Sequence, residues 1–139
     1  MLVNSWENQS EDLNELISEA KKLVENQKAY ESAINEVSRD NEIVVLGRGF
    51  SYPNAREAAL KIQETSKISV QGLSIADYMH GPISALTNKT QVIIMAPNGA
   101  SLRYLSEDLK RIRNSVPKII WIGSKELAIS NEQVIEGAN

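Results

Sequence analysis

The sequence predicts an α/β domain whose sheet is mostly parallel and covered by helices on both faces. Three observations predict it. Short apolar runs at 42–46, 91–96 and 118–122 have the length of buried strands and carry little alternation. Segments with apolar residues at helical spacing stand between them. Loops rich in Gly, Pro and Asn punctuate the joins, as at Gly47-Arg48-Gly49 and Pro97-Asn98-Gly99.

In chain order, Leu13, Leu16, Ile17, Ala20, Leu23 and Val24 mark one face of a helix that Ser10 or Asp12 can cap. Tyr30, Ala33, Ile34 and Val37 continue that stripe after a break near Asn26. Arg39–Glu42 is a polar turn, and Glu42–Leu46 is the first strand. Pro53 suits the first turn of the next helix, with Ser51 or Tyr52 just outside it and an end at Thr65 or Ser66. A second strand is expected over Lys67–Val70, then mixed structure from Gly72 to Leu86 with helical turns around His80-Gly81-Pro82. Gln91–Ala96 is the third strand. Ser101 caps a helix reaching Val116, which Pro117 ends. Lys118–Ile122 is the fourth strand and Gln133–Ile135 the fifth. No internal repeat or linker divides the 139 residues, so one domain is expected, with a helical segment over 1–41 and an α/β core over 42–139.

Composition narrows the function. Fifteen Lys and Arg against eighteen Asp and Glu give a net charge of -3, with no basic surface for nucleic acid or anionic lipid. An anionic ligand would have to be held by local dipoles and a few placed cations. The absence of cysteine excludes disulfides and thiolate metal sites, and one histidine is too few for a transition-metal site. The longest apolar runs are far too short to cross a bilayer, and Met1–Ser10 lacks an apolar signal core. A cytoplasmic location is the expectation.

Ligands of parallel α/β sheets gather beyond the carboxyl ends of the strands, which directs attention to Gly47–Pro53, Ser69–His80 and Ala96–Ser101. Gly47-Arg48-Gly49 invites a dinucleotide reading. Tyr52 stands where the third glycine belongs, and Ser69 and Val70 stand where an acidic residue should close the second strand, so that reading fails. The turn nonetheless brings Arg48, Ser51 and backbone N–H groups to the ligand edge. On the helix after Pro53, Ala55, Ala58, Ala59, Ile62 and Ser66 share one side and suit close packing on a sheet. Glu57, Lys61 and Glu64 share the other at i, i+4, i+7. Such a ladder is either a solvated face or a carboxylate base beside a cation, with Lys61 keeping Glu64 charged and oriented. His80 sits on a Gly81-Pro82 turn and is either structural or a proton carrier near neutral pH. A dense phosphate cradle of hydroxyls is missing near Pro97, so a phosphate would be gripped elsewhere.

The run Leu46-Gly47-Arg48-Gly49 to Tyr52-Pro53, then Ala59-Leu60-Lys61-Ile62-Gln63-Glu64, then Ala76-Asp77-Tyr78-Met79-His80-Gly81-Pro82 resembles the second SIS (sugar isomerase) domain of glucosamine-6-phosphate synthase and its relatives. Those relatives include SIS-type deaminases and deglycases. The resemblance is closest from Glu42 to Leu86 and looser through the Leu102–Val116 helix. It implies a three-layer αβα sandwich around a five-stranded parallel sheet, the flavodoxin-like SIS fold. It also implies that Glu64 is the base moving a proton between C1 and C2 of a hexose 6-phosphate or its amino derivative, with Lys61 beside it. His80 would assist ring opening in a neighbouring subunit's site. By their places on the ligand-edge turn and in the ladder, Arg48, Ser51 and Glu57 are the expected substrate contacts. Proton transfer of this kind needs no metal or organic cofactor. The expected partners are a sugar phosphate, a first SIS half that holds the phosphate, and a homodimer mate. A glutaminase domain, a final helix and a tail with a Schiff-base lysine would lie beyond these residues, so inactivity alone is expected. Asp77, Ala76 and Gln63 differ from the glutamate, glycine and lysine usual in the synthase. The rival expectation is a non-catalytic phosphosugar sensor.

Overall fold

A computed structural model describes residues 13–136 except Asn26, Arg39, Ser101 and Pro117. The expected caps at Ser10, Asp12 and Ser101, the break at Asn26 and the stop at Pro117 therefore lie outside the described residues. The elements run α1 (Leu13–Glu25), α2 (Gln27–Glu36), β1 (Glu42–Gly47), α3 (Ser51–Ser66), β2 (Val70–Ser74), α4 (Ile75–Tyr78), β3 (Thr90–Ala96), α5 (Ser106–Arg113), β4 (Ile119–Gly123) and β5 (Gln133–Ile135). Short 3₁₀ turns occupy Pro82–Ala85 and Leu102–Tyr104.

All four strand pairings are parallel, in the order β2-β1-β3-β4-β5. In β1, β3 and β4 the apolar residues are buried almost throughout, because helices cover both faces. Alternate side chains separate into two cores. Val44, Leu46, Val92, Ile94, Ile119 and Trp121 meet α4 and α5 on one face. Ile43, Val45, Ile93 and Ile120 meet α3 and α2 on the other. The three-layer αβα sandwich expected from the sequence is the observed architecture.

Helix α3 lies unusually near the sheet. Ala55 and Ala59 are buried against it, and a Cβ on Gly72 of β2 would come within 2.6 Å of the Arg56 Cα. Only a glycine permits that approach.

Beyond shifts of a residue or so at strand ends, three boundaries differ from the sequence reading. α3 starts at Ser51, so Ser51 and Tyr52 lie within the helix rather than just outside it, because the turn hydrogen bonds from Ser51 and Tyr52 N–H already lead into it. β2 covers Val70–Ser74 rather than Lys67–Val70, because α3 runs to Ser66 and its left-handed cap at Lys67 (φ 57°) takes up the residues where the strand was expected to start. The single helix expected over 101–116 is a 3₁₀ turn followed by α5, which stops at Arg113. Strand order reverses between β1 and β3, and this switch point is where the fold leaves a cleft.

Candidate functional site

The cleft at the switch point holds about 580 Å³. Its walls come from the β1–α3 turn (Arg48, Gly49, Phe50, Ser51), from Ser74 at the end of β2 and Ala76 in α4, and from Pro97, Asn98 and Tyr104 after β3. The turn is tight: Ser51 N–H donates to the Arg48 carbonyl at 3.1 Å and Tyr52 N–H to the Gly49 carbonyl at 3.0 Å. A side chain at Gly47 would strike the Ser51 carbonyl, so that glycine lets α3 start directly above the strand.

Arg48 is the cleft's cation, and its guanidinium is engaged. It donates to the Asp108 carboxylate at 2.9 Å and lies 5.4 Å from the Tyr104 ring centroid. Arg103 approaches the same ring at 4.8 Å. Phe50 stands fully exposed at the rim. Sequence reasoning found Arg48 and Ser51 here and missed Phe50, Tyr104 and Asp108. The signal available was their place, on the segments just after β1 and β3 where the strand order reverses.

The remaining predicted residues lie elsewhere. A helix that leaves the carboxyl end of β1 must run back toward the amino ends of the strands. At 1.5 Å per residue Glu64 therefore sits roughly 20 Å along the axis from Ser51. Gln63, its neighbour, donates to the carbonyl of Val70 at the start of β2. Within one chain the acidic end of α3 is thus remote from the cleft at the strand tips, and helix direction is the reason. Glu57, Lys61 and Glu64 instead form a ladder on the outer face of α3. Lys61 Nζ donates to Glu64 Oε2 at 2.9 Å and lies 3.6 Å from Glu57 Oε1. All three side chains are more than half exposed. The hydrogen bond to Glu64 and the charge of Glu57 raise the Lys61 pKa above its ordinary value. Glu57 also lines a groove of about 510 Å³ between α3 and the β2 edge.

His80 is exposed just after α4, with its backbone N–H donating to the Asp77 carbonyl. The adjacent Tyr78 and Met79 belong to the core opposite α3. One chain therefore places His80 and Glu64 on opposite faces of the sheet. Burial, with the charge of Glu42 second, pushes the Tyr78 hydroxyl pKa up, which keeps that side chain neutral in the core.

Comparison with known proteins decides the family. The SIS domain profile matches residues 36–133. The chain belongs to the SIS domain family. Glutamine–fructose-6-phosphate aminotransferase [isomerizing] of Buchnera aphidicola subsp. Baizongia pistaciae is 34% identical over 82 residues, which are 59% of this chain and 13% of that one. The protein of the same name from Encephalitozoon cuniculi is 29% identical over 89% of this chain and 17% of its own length. Both relatives are thus several times longer than the part this SIS chain spans. Among solved structures, the C-terminal domain of glucosamine-fructose-6-phosphate aminotransferase from Francisella tularensis has a TM-score of 0.68 at 23% identity, covering 88% of this chain and 34% of that one. Tagatose-6-phosphate ketose/aldose isomerase from Escherichia coli has a TM-score of 0.60 at 26% identity, covering 74% and 30%. The fold and the family relationship to sugar-phosphate enzymes stand on these likenesses. Among the described residues no helix is long and apolar enough to cross a membrane.

Proposed function

We propose that this SIS domain is the second half of a sugar-phosphate isomerase or aminotransferase site, acting on a hexose 6-phosphate or amino-sugar 6-phosphate. The observation that carries the reading is the Glu57–Lys61–Glu64 ladder, a carboxylate hydrogen-bonded to a cation on a helix face that its own chain leaves uncovered. A companion SIS half laid on that face would convert an exposed ion pair into a dry, oriented base, since the same charges act more strongly once water is displaced. Glu64 then moves the proton between C1 and C2 through an enediol, Lys61 holds its carboxylate in place, and Glu57 meets the substrate's hydroxyls. His80, on the other face of the sheet, serves a site in a second copy and passes protons to the ring oxygen. Its exposed position is suited to that. The likeness of the chain to aminotransferases and to a ketose/aldose isomerase supports this chemistry.

The test is to join the chain to a companion SIS half and measure solvent exchange of the C2 hydrogen of glucose 6-phosphate. Glu64→Gln should lower the exchange rate by about 100-fold or more, the usual worth of a positioned base. A rate within a few-fold of the unaltered protein would end the catalytic assignment.

A second reading draws on the cleft. Arg48 and Ser51 line a cavity of sugar-phosphate size, which suits a non-catalytic phosphosugar sensor. An anion there must displace Asp108 from Arg48, which costs affinity. Calorimetric titration of the chain alone with glucosamine 6-phosphate separates the two readings. Tight binding by the single domain favours the sensor.

A further inference from the structure

The loop after β3 holds the only Asn-Gly pair in the sequence, Asn98-Gly99. Both residues are exposed and line the wall of the switch-point cleft. Asparagine is chemically labile, and a following glycine opens one particular reaction to it. The glycine's backbone nitrogen attacks the carbon of the side-chain amide. A C–N bond forms, the amide nitrogen leaves as ammonia, and a succinimide ring closes. Water then adds at either ring carbonyl and breaks a C–N bond, giving aspartate or isoaspartate. Nothing is oxidised or reduced, and water is the only co-reactant.

The fold decides where this can happen, because the attacking nitrogen must be free and the ring must have room. The Gly99 carbonyl accepts the Leu102 N–H at 3.2 Å, but among the described residues the Gly99 N–H has no acceptor. No side chain screens that nitrogen, and a Cβ built on Gly99 would meet nothing within 4 Å. Other asparagines are followed by nitrogens already in use. Asn35 and Asn54 lie inside α2 and α3, where the next N–H belongs to the helix ladder. After Asn114 the Ser115 N–H donates to the Ile112 carbonyl at 2.9 Å, and after Asn131 the Glu132 N–H donates to the Ile129 carbonyl at 2.9 Å. After Asn88 the Lys89 N–H donates to Thr87 Oγ1 at 3.2 Å.

We propose that Asn98 is a modification site, converted by deamidation to aspartate and isoaspartate without an enzyme. The consequence is electrostatic. Among the described residues lining the cleft only Arg48 is charged, and Asp108 already offsets it. A carboxylate at position 98 leaves this group of charges net negative, at the place where a ligand of the cleft would enter. Isoaspartate also lengthens the backbone between β3 and the 3₁₀ turn that carries Tyr104, the ring beside Arg48. The inference rests on neither reading of function.

The full chain, held in warm and mildly alkaline buffer, should develop an acidic band on isoelectric focusing that grows with first-order kinetics. Peptide mapping should place aspartate and isoaspartate at position 98. Asn98→Gln should lose the band, because the longer side chain closes its ring far more slowly, and Asn114→Gln should keep it. Conversion of the folded chain should run within about tenfold of the rate in guanidinium, since no local opening has to come first. A chain that gains no acidic band, or a band that survives Asn98→Gln unchanged, overturns the proposal. So does conversion confined to the unfolded chain, which would mean that the fold shields Gly99.

Discussion

Two groups of charges in this domain use the same ingredients and come to opposite ends. On α3, Lys61 bridges Glu57 and Glu64 in open water. Across the sheet, the Glu132 side chain is 3% exposed and takes hydrogen bonds from Arg113 Nε at 2.8 Å, Trp121 Nε1 at 2.7 Å and the Ile129 backbone N–H at 2.9 Å. Arg113 also donates to the Leu127 carbonyl at 2.6 Å and lies 6.0 Å from the Trp121 ring. The Glu132 cluster ties α5, β4 and the loop before β5 together, and both carboxylate oxygens of Glu132 have partners. The α3 ladder ties nothing together. A charge cluster that is fully satisfied specifies a fold, and one that is left open is available to a ligand or partner.

The largest effect expected from this contrast is Glu132→Ala. It strands a mostly buried guanidinium, an indole N–H and a backbone N–H at once, and should cost about 3–5 kcal/mol, read as a fall in the urea midpoint. A loss near zero would mean the cluster is no more structural than the ladder. Next is Gly72→Ala. A methyl group there meets α3 backbone rather than a flexible side chain, so the helix must shift, at roughly 1–3 kcal/mol in the same measurement.

Acid should expose the cluster too. Burial pushes the Glu132 carboxyl up, but the hydrogen bonds from Arg113, Ile129 and Trp121 and the charge of Arg113 outweigh it, leaving the pKa below the ordinary glutamate value. A carboxylate lowered in the folded state lends stability at neutral pH. That stability is lost as pH falls below about 4.3, the unfolded value, and through the folded one. Glu132→Gln should therefore flatten the acid limb of a stability-against-pH curve, and an unchanged limb would assign acid sensitivity elsewhere.

Much of this was legible in the sequence, and the exceptions have a common cause. α3 ends at Ser66 as its pattern indicates, because small residues on one side and charges on the other leave one way to pack it. β1, β3 and β4 were readable because strands buried on both faces are apolar throughout. β2 was misplaced by a few residues, since an edge strand with a burial pattern of one buried residue and Gly72 in its middle has a weak signature. The i, i+4, i+7 ladder was visible, yet its distance from the strand tips was not drawn from the same helix, although a helix following β1 has to run backward. Glu132 escaped notice altogether. Its partners Arg113 and Trp121 are 19 and 11 residues away on other elements, and no local pattern links them.

The smallest effect on stability should be on α3 itself, and there the contrast is sharpest. Lys61 and Glu64 are solvated on both sides of their hydrogen bond, so salt screens the pair and either residue can turn to water without stranding the other. Lys61→Met and Glu64→Gln should accordingly leave the urea midpoint and the melting curve of the single chain unmoved. Joined to a companion SIS half, the same two variants should differ: Glu64→Gln removes the base and lowers turnover with KM nearly unchanged, while Lys61→Met lets the carboxylate swing and lowers turnover less. The pairing of an untouched fold with lost turnover is what a merely solvated ladder cannot produce. If both variants melt early instead, the ladder holds α3 in place and the contrast with Glu132 dissolves.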